Sequence, residues 1–480
     1  MGIAFAFLSA ASGIAGAALD WHDDSPESRR VFGNIPGPLQ LAFYVLVVVL
    51  ILAGAVQFAN RAKNWQRGGP DNRATTTKNV GRRLADFRAG VYMRTLLREP
   101  AAGIMHSLIY FSFLILLAVT TTLEIDHQMP ESAKFLHGGV YKGYSAVGDI
   151  AGALLLIGVL WAIGRRYGPR SWRPYRIRIK TKPEHAVILG TFFAIAVSGF
   201  LTEAFRIALA GRPEHEKWSV IGYPLSYLVR NSDHLSGWHQ GLWVTHVITF
   251  VTFLVILPTT MLRHMFTSPL NMYLRDKNRP KGAMKPMPNL METSLESFGA
   301  STIEDFTWKQ LLDTDACTMC GRCTSVCPAH ATGKPLDPRE IVLKIGEVMA
   351  ATGNPVVTPP IGMDKEITIG VDSVFERVTA DEVWACTTCK ACDEICPVNI
   401  EILDKILDMR RYLSLMESNF PTELGNAYRA MENQGNPWAL PQGERADWAK
   451  DLEGITIIEG TSPLEAEYLY WVGCAGSFDD

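Results

Sequence analysis

Residues 317–328 read CTMCGRCTSVCP, and residues 386–397 read CTTCKACDEICP. In each run, two residues separate the first three cysteines and three residues precede a fourth cysteine, which proline follows. This order is typical of two-[4Fe–4S] ferredoxins, in which the fourth cysteine of each run turns toward the other cluster. Zinc sites favour separated cysteine pairs instead. The two runs therefore predict a domain that holds two [4Fe–4S] clusters.

The same spacing divides the eight cysteines into two sets of ligands. The first cluster is predicted to use Cys317, Cys320, Cys323 and Cys396. The second cluster is predicted to use Cys386, Cys389, Cys392 and Cys327. Arg322 and Lys390 lie between these cysteines, and we expect them to be solvated charges near the clusters.

Helical patterns follow both cysteine runs. DPREIVLKIGEVMAATG (337–353) has apolar residues at helical spacing and ends at a glycine, and IEILDKILDMRRYLSLMES (400–418) repeats the pattern. The cluster domain, residues 301–420, is therefore predicted to be α-helical rather than a small β-rich ferredoxin.

The chain before the cysteines is strongly apolar. Hydrophobic residues make up 48% of the sequence and charged residues only 20%, with a net charge of −3 that favours no nucleic-acid partner. Five stretches are each long enough to cross a bilayer, which takes about 20 residues. They are 39–60, 102–123, 144–164, 185–207 and 240–262. Residues 3–19 are a shorter apolar segment, so we predict an all-α membrane protein with five or six transmembrane helices.

The charges between these stretches predict their orientation. Residues 61–101 contain ten Lys or Arg against three acidic residues, and residues 165–182 contain eight against none. Basic connections stay on the cytoplasmic side. The chain after residue 262, including the cluster domain, is therefore predicted to be cytoplasmic.

Histidines within the apolar stretches are candidate haem ligands, because ionisable groups at membrane depth usually have a function. His246 and His264 are 18 residues apart and would share one face of a continuous helix. His106 lies at the same predicted level as His264. Two facing imidazoles can ligate a b-type haem. We therefore expect His106, His246 and His264 to be axial ligands of one or two haems.

The remaining polar residues of the membrane stretches leave alternatives open. His127 or His137 could be the second ligand of an outer haem, or His246 could ligate that haem alone. Glu203 and Arg206, three residues apart on one helix face, could pair with each other or hydrogen-bond a quinone. His185 and His239 are expected to be interfacial.

Several stretches resemble a known family. LLDTDACTMCGRCTSVCPAHATGKPLDPREIV and VWACTTCKACDEICPVNIEILDKILDMRRYL resemble the membrane iron–sulfur reductases related to heterodisulfide reductase. AGIMHSLIYFSFLILLAVTTTLEID and GDIAGALLLIGVLWAIGRRYG resemble the nitrate-reductase gamma-type haem bundle fused to them. Within this family, the chain is most similar to the electron transfer flavoprotein:menaquinone oxidoreductases of actinobacterial type.

The resemblance implies electron transfer in a prokaryotic plasma membrane. A cytoplasmic electron transfer flavoprotein would be the donor, and menaquinone from the quinone pool would be the acceptor. One alternative is a quinol-linked reductase of heterodisulfides, or an oxidase of hydroxy acids, with catalysis in a further domain. Another alternative is an anchoring electron-transfer subunit without turnover of its own.

The predicted organisation has five parts. Residues 1–38 are an apolar segment and outer loop, 39–270 the haem-binding membrane domain, 271–300 a linker, and 301–420 the cluster domain. Residues 421–480 are a connection that ends at the start of an incomplete cysteine-rich CCG domain. Cys474, in YWVGCAGSFDD, resembles the opening of that domain, which could carry a further cluster. By itself Cys474 is expected to be a free, partly buried thiol.

Overall fold

A computed structural model shows a helical protein. It describes all residues except 1–27, 72, 74–79, 93, 179, 230–233, 277, 281, 354–372, 459–465 and 480. The predicted segment 3–19 therefore lies outside the described residues. Within them, extended pairing is limited to two isolated β-bridges, Gly69 with Thr307 and Thr302 with Ser373. The prediction of an all-α membrane protein with a cluster domain after its membrane helices is confirmed.

The α-helices are numbered here in chain order. The first nine are α1 (Gly37–Trp65), α2 (Val80–Val91), α3 (Pro100–Gln128), α4 (Gly138–Tyr167), α5 (Tyr175–Arg178), α6 (Pro183–Leu209), α7 (Gly222–Leu228), α8 (Leu235–Thr259) and α9 (His264–Tyr273). The others are α10 (Trp308–Ala316), α11 (Arg322–Val326), α12 (Pro328–Ala331), α13 (Pro338–Thr352), α14 (Ala380–Trp384), α15 (Ala391–Ile395), α16 (Ile402–Leu415), α17 (Thr422–Gln434) and α18 (Gly473–Phe478). Short 3-10 helices lie at Leu96–Arg98, Glu131–Ala133, Arg170–Trp172, Glu214–Trp218, Met261–Arg263, Val374–Glu376 and Gln442–Ala449.

Five of these helices, α1, α3, α4, α6 and α8, are long and apolar enough to cross a membrane. They coincide with the five predicted stretches, which confirms those stretches as helices. Helix α3 packs along α4, α4 along α6, and α6 along α8, while α1 packs against α8. None of the most apolar part of α1 is buried in the protein. Helix α1 is thus peripheral and offers its surface to lipid.

The bundle core is aliphatic and aromatic. Its most buried members are Leu155, Val159, Ile188, Phe192, Ala196, Phe253, Ile256 and Leu262. Phe113 of α3 meets Phe192 and Phe253 with ring centroids 5.9 and 5.5 Å apart. These contacts hold α3, α6 and α8 around one core.

The predicted continuous helix from His246 to His264 is wrong. Helix α8 ends at Thr259, just after Pro258, and Thr260 is extended, with φ −113° and ψ −176°. A short 3-10 helix follows, and α9 begins at His264. Because Thr260 leaves the helical conformation, the helical rise no longer relates the two histidines.

The cluster domain has its own core between α13 and α16. Ile341, Ile345 and Val348 of α13 and Ile406 and Met409 of α16 are all buried. The predicted helices in 337–353 and 400–418 are confirmed as α13 and α16. The side chain of Asp337 accepts the amide of Arg339 and caps α13, which ends at Gly353.

A buried ion network joins α10 to α16 within this domain. Lys309 and Lys405 donate to the two carboxylate oxygens of Asp313 at 2.7 and 2.6 Å, and all three side chains are inaccessible to solvent. Buried charges are tolerated when they are paired in this way, and losing one partner would leave a charge unpaired.

The cluster domain lies against the end of the bundle where the two basic connections emerge. Lys180 pairs with Glu340 at 2.8 Å, Arg67 pairs with Glu304 at 2.7 Å, and the Gly69 amide donates to Phe306 at 2.8 Å. The basic residues counted in the sequence thus contact the cluster domain as well as flanking the membrane helices.

Gly68 allows the closest of these approaches. A Cβ at Gly68 would lie 2.7 Å from backbone atoms of Phe306, Thr307 and Trp308. We therefore expect Gly68→Ala to lower the free energy of unfolding by about 1–3 kcal/mol, because backbone must move to admit the methyl group. Thermal unfolding in detergent measures this change. Gly81→Ala, at an exposed position with no atom within 4 Å, is the matched control, and an equal effect of the two variants would contradict the argument.

Candidate electron-transfer centres

The two cysteine loops share one backbone conformation. Met319 and Gly321 in the first loop, and Thr388 and Lys390 in the second, have positive φ angles of 51°, 68°, 56° and 63°. These are the second and fourth residues after the first cysteine of each loop. Left-handed residues are costly for side chains other than glycine and gather at functional sites. The repeated conformation curls each loop so that its three cysteines face one cavity.

The first cavity brings together cysteines from both runs. It has a volume of about 360 Å³. Its lining includes Cys317, Cys320, Cys323 and Cys396. The fourth cysteine of the second run thus lies with the three cysteines of the first. Cys396 is buried, and its sulfur accepts the Ile400 amide at 3.4 Å.

The second cavity contains the complementary set. Its lining includes Cys327, Cys386, Cys389 and Cys392. Cys327 and Cys392 are buried, whereas Cys389 is exposed. The second cavity is therefore the one that reaches the protein surface through a cysteine.

Burial keeps the free thiols protonated. It raises the pKa of Cys317 to about 12, and it also raises the pKa of Cys386 above its usual value. Metal centres bind the thiolate form, so loading these cavities with iron must release protons. Among the described residues, no three His, Cys, Asp or Glu side chains converge on a single metal ion.

Helix α9 connects the first cavity to the membrane bundle. The Ser268 hydroxyl donates to the carbonyl of Ala316, directly before Cys317, at 3.0 Å. The Asn271 amide donates to the carbonyl of Val398 at 2.9 Å, two residues after Cys396. The helix that begins with His264 is thus bonded beside two cysteines of the first cavity, one from each run.

Asp315 joins three segments at the same place. Its carboxylate accepts from Arg61 at 2.7 Å, from Arg263 at 2.8 Å and from the Trp65 indole at 2.8 Å. Burial would raise its pKa, but the two guanidinium groups outweigh burial and hold the pKa below its usual value. Asp315 is therefore ionised and joins the end of α1 to the segment before α9.

Arg322 differs from its prediction as a solvated charge. It is only 3% exposed and donates to the carbonyls of Thr95 and Leu96 at 3.0 and 2.9 Å. Those carbonyls precede α3, the helix that carries His106. Lys390 likewise is not simply solvated, because its ammonium donates to the carbonyl of Ala283.

His106 and His264 are brought together. Their ring centroids are 6.5 Å apart, with an angle of 58° between the planes. Nδ1 of His264 donates to the carbonyl of Met261 at 2.6 Å, which leaves Nε2 as the free nitrogen. Nδ1 of His106 is buried and has no hydrogen-bond partner among the described residues. Such a buried, unpartnered nitrogen is unusual in a native protein.

His246 lies between α8 and α6. Its Nδ1 is 2.9 Å from the Ser198 hydroxyl, and a Cβ at Gly199 would come within 3.3 Å of its ring. Small residues on α6 thus make room for this imidazole. His127 instead packs on Phe32 with ring centroids 5.5 Å apart, and His137 caps the start of α4.

His185 and His239 have local partners. Nδ1 of His185 lies 3.0 Å from the backbone nitrogen and oxygen of Lys182 at the start of α6. Nδ1 of His239 lies 3.2 Å from the Asn34 amide. These contacts suit structural histidines near the ends of membrane helices.

Glu203 and Arg206 belong to a larger buried polar group. Arg206 pairs with Glu203 at 3.7 Å, but its closer partner is Glu216, which also accepts from the Tyr141 hydroxyl at 3.0 Å. Glu203 accepts from the Ser219 hydroxyl at 3.1 Å. The guanidinium is therefore held mainly by Glu216, a residue that the sequence pattern did not single out.

Cys474 lies apart from both cavities. Its side chain is partly buried, and its sulfur is 3.5 Å from the Arg445 guanidinium. This environment agrees with the predicted free, partly buried thiol.

Asp315 and Asn271 were missed by reasoning from sequence alone. Their partners lie 254 and 127 residues away, so no local period marks them. One signal was present: Arg61 and Trp65 end the first apolar stretch with groups that need partners, and an aspartate stands two residues before Cys317.

Comparison with protein families and curated proteins agrees with this architecture. Residues 313–400 match the family described as a 4Fe-4S dicluster domain. The "EtfAB:quinone oxidoreductase" of Syntrophomonas wolfei is 33% identical, covering 94% of this chain and 65% of its own length. The "Probable iron-sulfur-binding oxidoreductase FadF" of Bacillus subtilis is 31% identical, covering 81% of this chain and 58% of its own length.

A more distant relative belongs to the dihydromethanophenazine:CoB--CoM heterodisulfide reductase of Methanosarcina barkeri. It is 26% identical over 37% of this chain and 41% of its own length. No solved structure gives a significant match. The chain spans about three fifths of the length of the first two relatives. It is a membrane-anchored iron–sulfur oxidoreductase homologue with a 4Fe-4S dicluster domain at residues 313–400.

Proposed function

We propose that this protein carries electrons from a reduced cytoplasmic flavoprotein, of the electron transfer flavoprotein type, to menaquinone. Residues 301–420 would hold two [4Fe–4S] clusters, and residues 39–270 would hold b-type haem in the plasma membrane of a prokaryote. The observation that carries the proposal is helix α9. It begins with His264, whose ring lies 6.5 Å from His106, and its side chains bond beside Cys317 and Cys396.

The cavities support the proposed cluster ligands. Each cavity is lined by three cysteines of one run and the fourth cysteine of the other. In this proposal, Cys317, Cys320, Cys323 and Cys396 hold the first cluster. Cys386, Cys389, Cys392 and Cys327 hold the second. When bound, the clusters and haem exchange single electrons.

The spacing of His106 and His264 suits a metal between them. Metal–imidazole bonds are about 2.0–2.1 Å long, so two imidazoles on one iron have ring centroids roughly 6–6.5 Å apart. The observed 6.5 Å fits this arrangement, and so does the buried Nδ1 of His106, which the described residues leave without a partner. The Met261 carbonyl would orient His264 as a second partner commonly does for a ligating histidine.

A second haem would rest on His246 alone among the described residues close to it. Ser198 bonds Nδ1 of His246 and leaves its other nitrogen free. His127 and His137 make the separate local contacts given above. We therefore propose one haem between His106 and His264, with His246 as the single protein ligand of a second haem if one is bound.

Electrons would enter at the second cluster. Cys389 is its exposed ligand, whereas the first cavity is the one bonded to α9 and, through Arg322, to the carbonyls before α3. The cluster domain also contacts the two basic connections, which the positive-inside rule places in the cytoplasm. A cytoplasmic donor could therefore reach Cys389 without crossing the membrane.

Quinone chemistry would lie near Glu203 rather than Arg206. Glu216 holds the Arg206 guanidinium through two contacts, whereas Glu203 has the weaker pairing at 3.7 Å and a hydroxyl donor. In this proposal Glu203 holds a proton near the quinone, and Arg206 positions Glu216 and Tyr141.

Anaerobic transient spectroscopy of the purified membrane protein tests the proposed route. When a reduced electron transfer flavoprotein is mixed with the protein without quinone, we expect cluster signals and then a reduced haem α-band to appear and persist. A menaquinone analogue should then reoxidise the haem. Haem that stays oxidised after the clusters are reduced would contradict the proposal. Cys474→Ser, outside both cavities, is a control that should behave as the unaltered protein.

A further inference from the structure

The contacts of Asp315 suggest a role beyond holding two domains together. Three side chains from α1 and from the turn before α9 converge on its carboxylate, and the Thr267 hydroxyl donates to its carbonyl at 2.9 Å. Asp315 is only 3% exposed. Every acceptor of this residue therefore faces the membrane helices or α9.

The position of Asp315 in the chain makes these contacts specific. Arg263 directly precedes His264, and Asp315 stands two residues before Cys317. The Arg263–Asp315 bond of 2.8 Å thus closes a short path from a proposed haem ligand to a proposed cluster ligand. Apart from that one charge-assisted hydrogen bond, the path consists of covalent bonds.

We propose that Asp315 is a positioning residue for electron transfer, which fixes the His264 ring and the Cys317 loop relative to each other. This inference rests on the proposed function. One electron would leave the reduced first cluster and reduce the ferric inner haem, with no bond broken and no proton moved. Asp315 would set the distance and the angle between the two partners.

The geometry suits this role better than a general docking role. Arg61 and Trp65 hold Asp315 from the side of α1, so the carboxylate has no freedom to follow a moving Arg263. Ser268 and Asn271 then fix the following turns of α9 to the cluster loops. The start of α9 is held at several points, and the angle of 58° between the His106 and His264 rings depends on that restraint.

The test compares Asp315→Asn with Asp404→Asn. Asp404 is a matched control because its carboxylate is equally buried, at 3% exposure, and binds Arg279 at 2.7 Å. Its partner belongs to the linker and not to the membrane helices. Both variants lose one buried charge, so both should unfold at a lower temperature. Only Asp315→Asn should alter the haem.

Two readouts separate positioning from stability. The first is the electron paramagnetic resonance spectrum of the ferric haem, whose largest g value depends on the angle between the two imidazole planes. The second is the rate of haem reduction by the first cluster in a single turnover. A displacement of about 1 Å can cost up to a hundredfold in rate, and we expect Asp315→Asn to slow this step by about tenfold.

A second pair of variants keeps the test decisive if Asp315→Asn does not fold. Arg263→Gln and Arg61→Gln each remove one cationic partner of Asp315, but only Arg263 adjoins His264. We expect Arg263→Gln to shift the haem spectrum more than Arg61→Gln does. Equal spectra for these two variants, or an Asp315→Asn haem with an unchanged spectrum and rate, would overturn the positioning role. A lack of haem in the unaltered protein would instead contradict the proposed function, and the inference with it.

Discussion

Cys396→Ala is expected to remove the first cluster and to leave the second cluster in place. Cys396 belongs to the second run of the sequence, but it lines the first cavity with Cys317, Cys320 and Cys323. A cubane cluster needs its fourth thiolate, so iron and acid-labile sulfide should fall by about half. Haem reduction by the flavoprotein should then be lost, because the first cavity is the one bonded to α9.

Paired variants show which cluster is lost. The cluster spectrum of Cys396→Ala should match that of Cys320→Ala, from the other run, rather than that of Cys389→Ala, from its own run. Cys327→Ala should in turn match Cys389→Ala. Cys474→Ser should retain all of its iron. If Cys396→Ala instead resembled Cys389→Ala, the exchange of ligands between the runs would be wrong.

His264→Ala is expected to remove the inner haem. His264 and His106 are the facing pair, and the chain offers no other histidine ring to His106 at this spacing among the described residues. Loss of one axial ligand should lower haem content or convert the low-spin haem to high spin. The reduced α-band measured on purified protein should decrease by about tenfold or more, at the scale by which even outer partners of a ligand act.

The matched comparison uses one ligand and one structural histidine. His106→Ala should produce the same loss, and the double variant should lose no more than either single variant, because the two residues act as one unit. His239→Gln should leave the α-band unchanged, since His239 contacts Asn34. An undiminished α-band in His264→Ala would contradict the proposed ligation.

Much of the architecture could be predicted from local patterns. The five apolar stretches predicted the five long helices because each must satisfy its own backbone within lipid. The helices α13 and α16 followed from apolar residues at helical spacing, with Asp337 and Gly353 at the ends of α13. The grouping of the cysteines around two cavities agrees with their spacing along the chain.

The contacts between the two halves of the protein could not be predicted in the same way. Arg61, Arg263 and Asp315 meet across more than 250 residues of sequence at the widest, and a charge in a basic connection looks the same whether it faces water or a carboxylate. Arg322 illustrates the error, since an arginine beside cysteines was expected to be solvated but is buried against backbone carbonyls. The break at Thr260 was missed because Pro258 is tolerated within an apolar run and gives no clear stop signal.

A density map of the protein purified anaerobically in detergent tests the central claim most directly. The claim predicts a cube of iron and sulfur in each cysteine cavity and porphyrin density between the rings of His106 and His264. Single zinc ions in place of the cubes, or side chains and lipid filling the space between those two histidines, would contradict it.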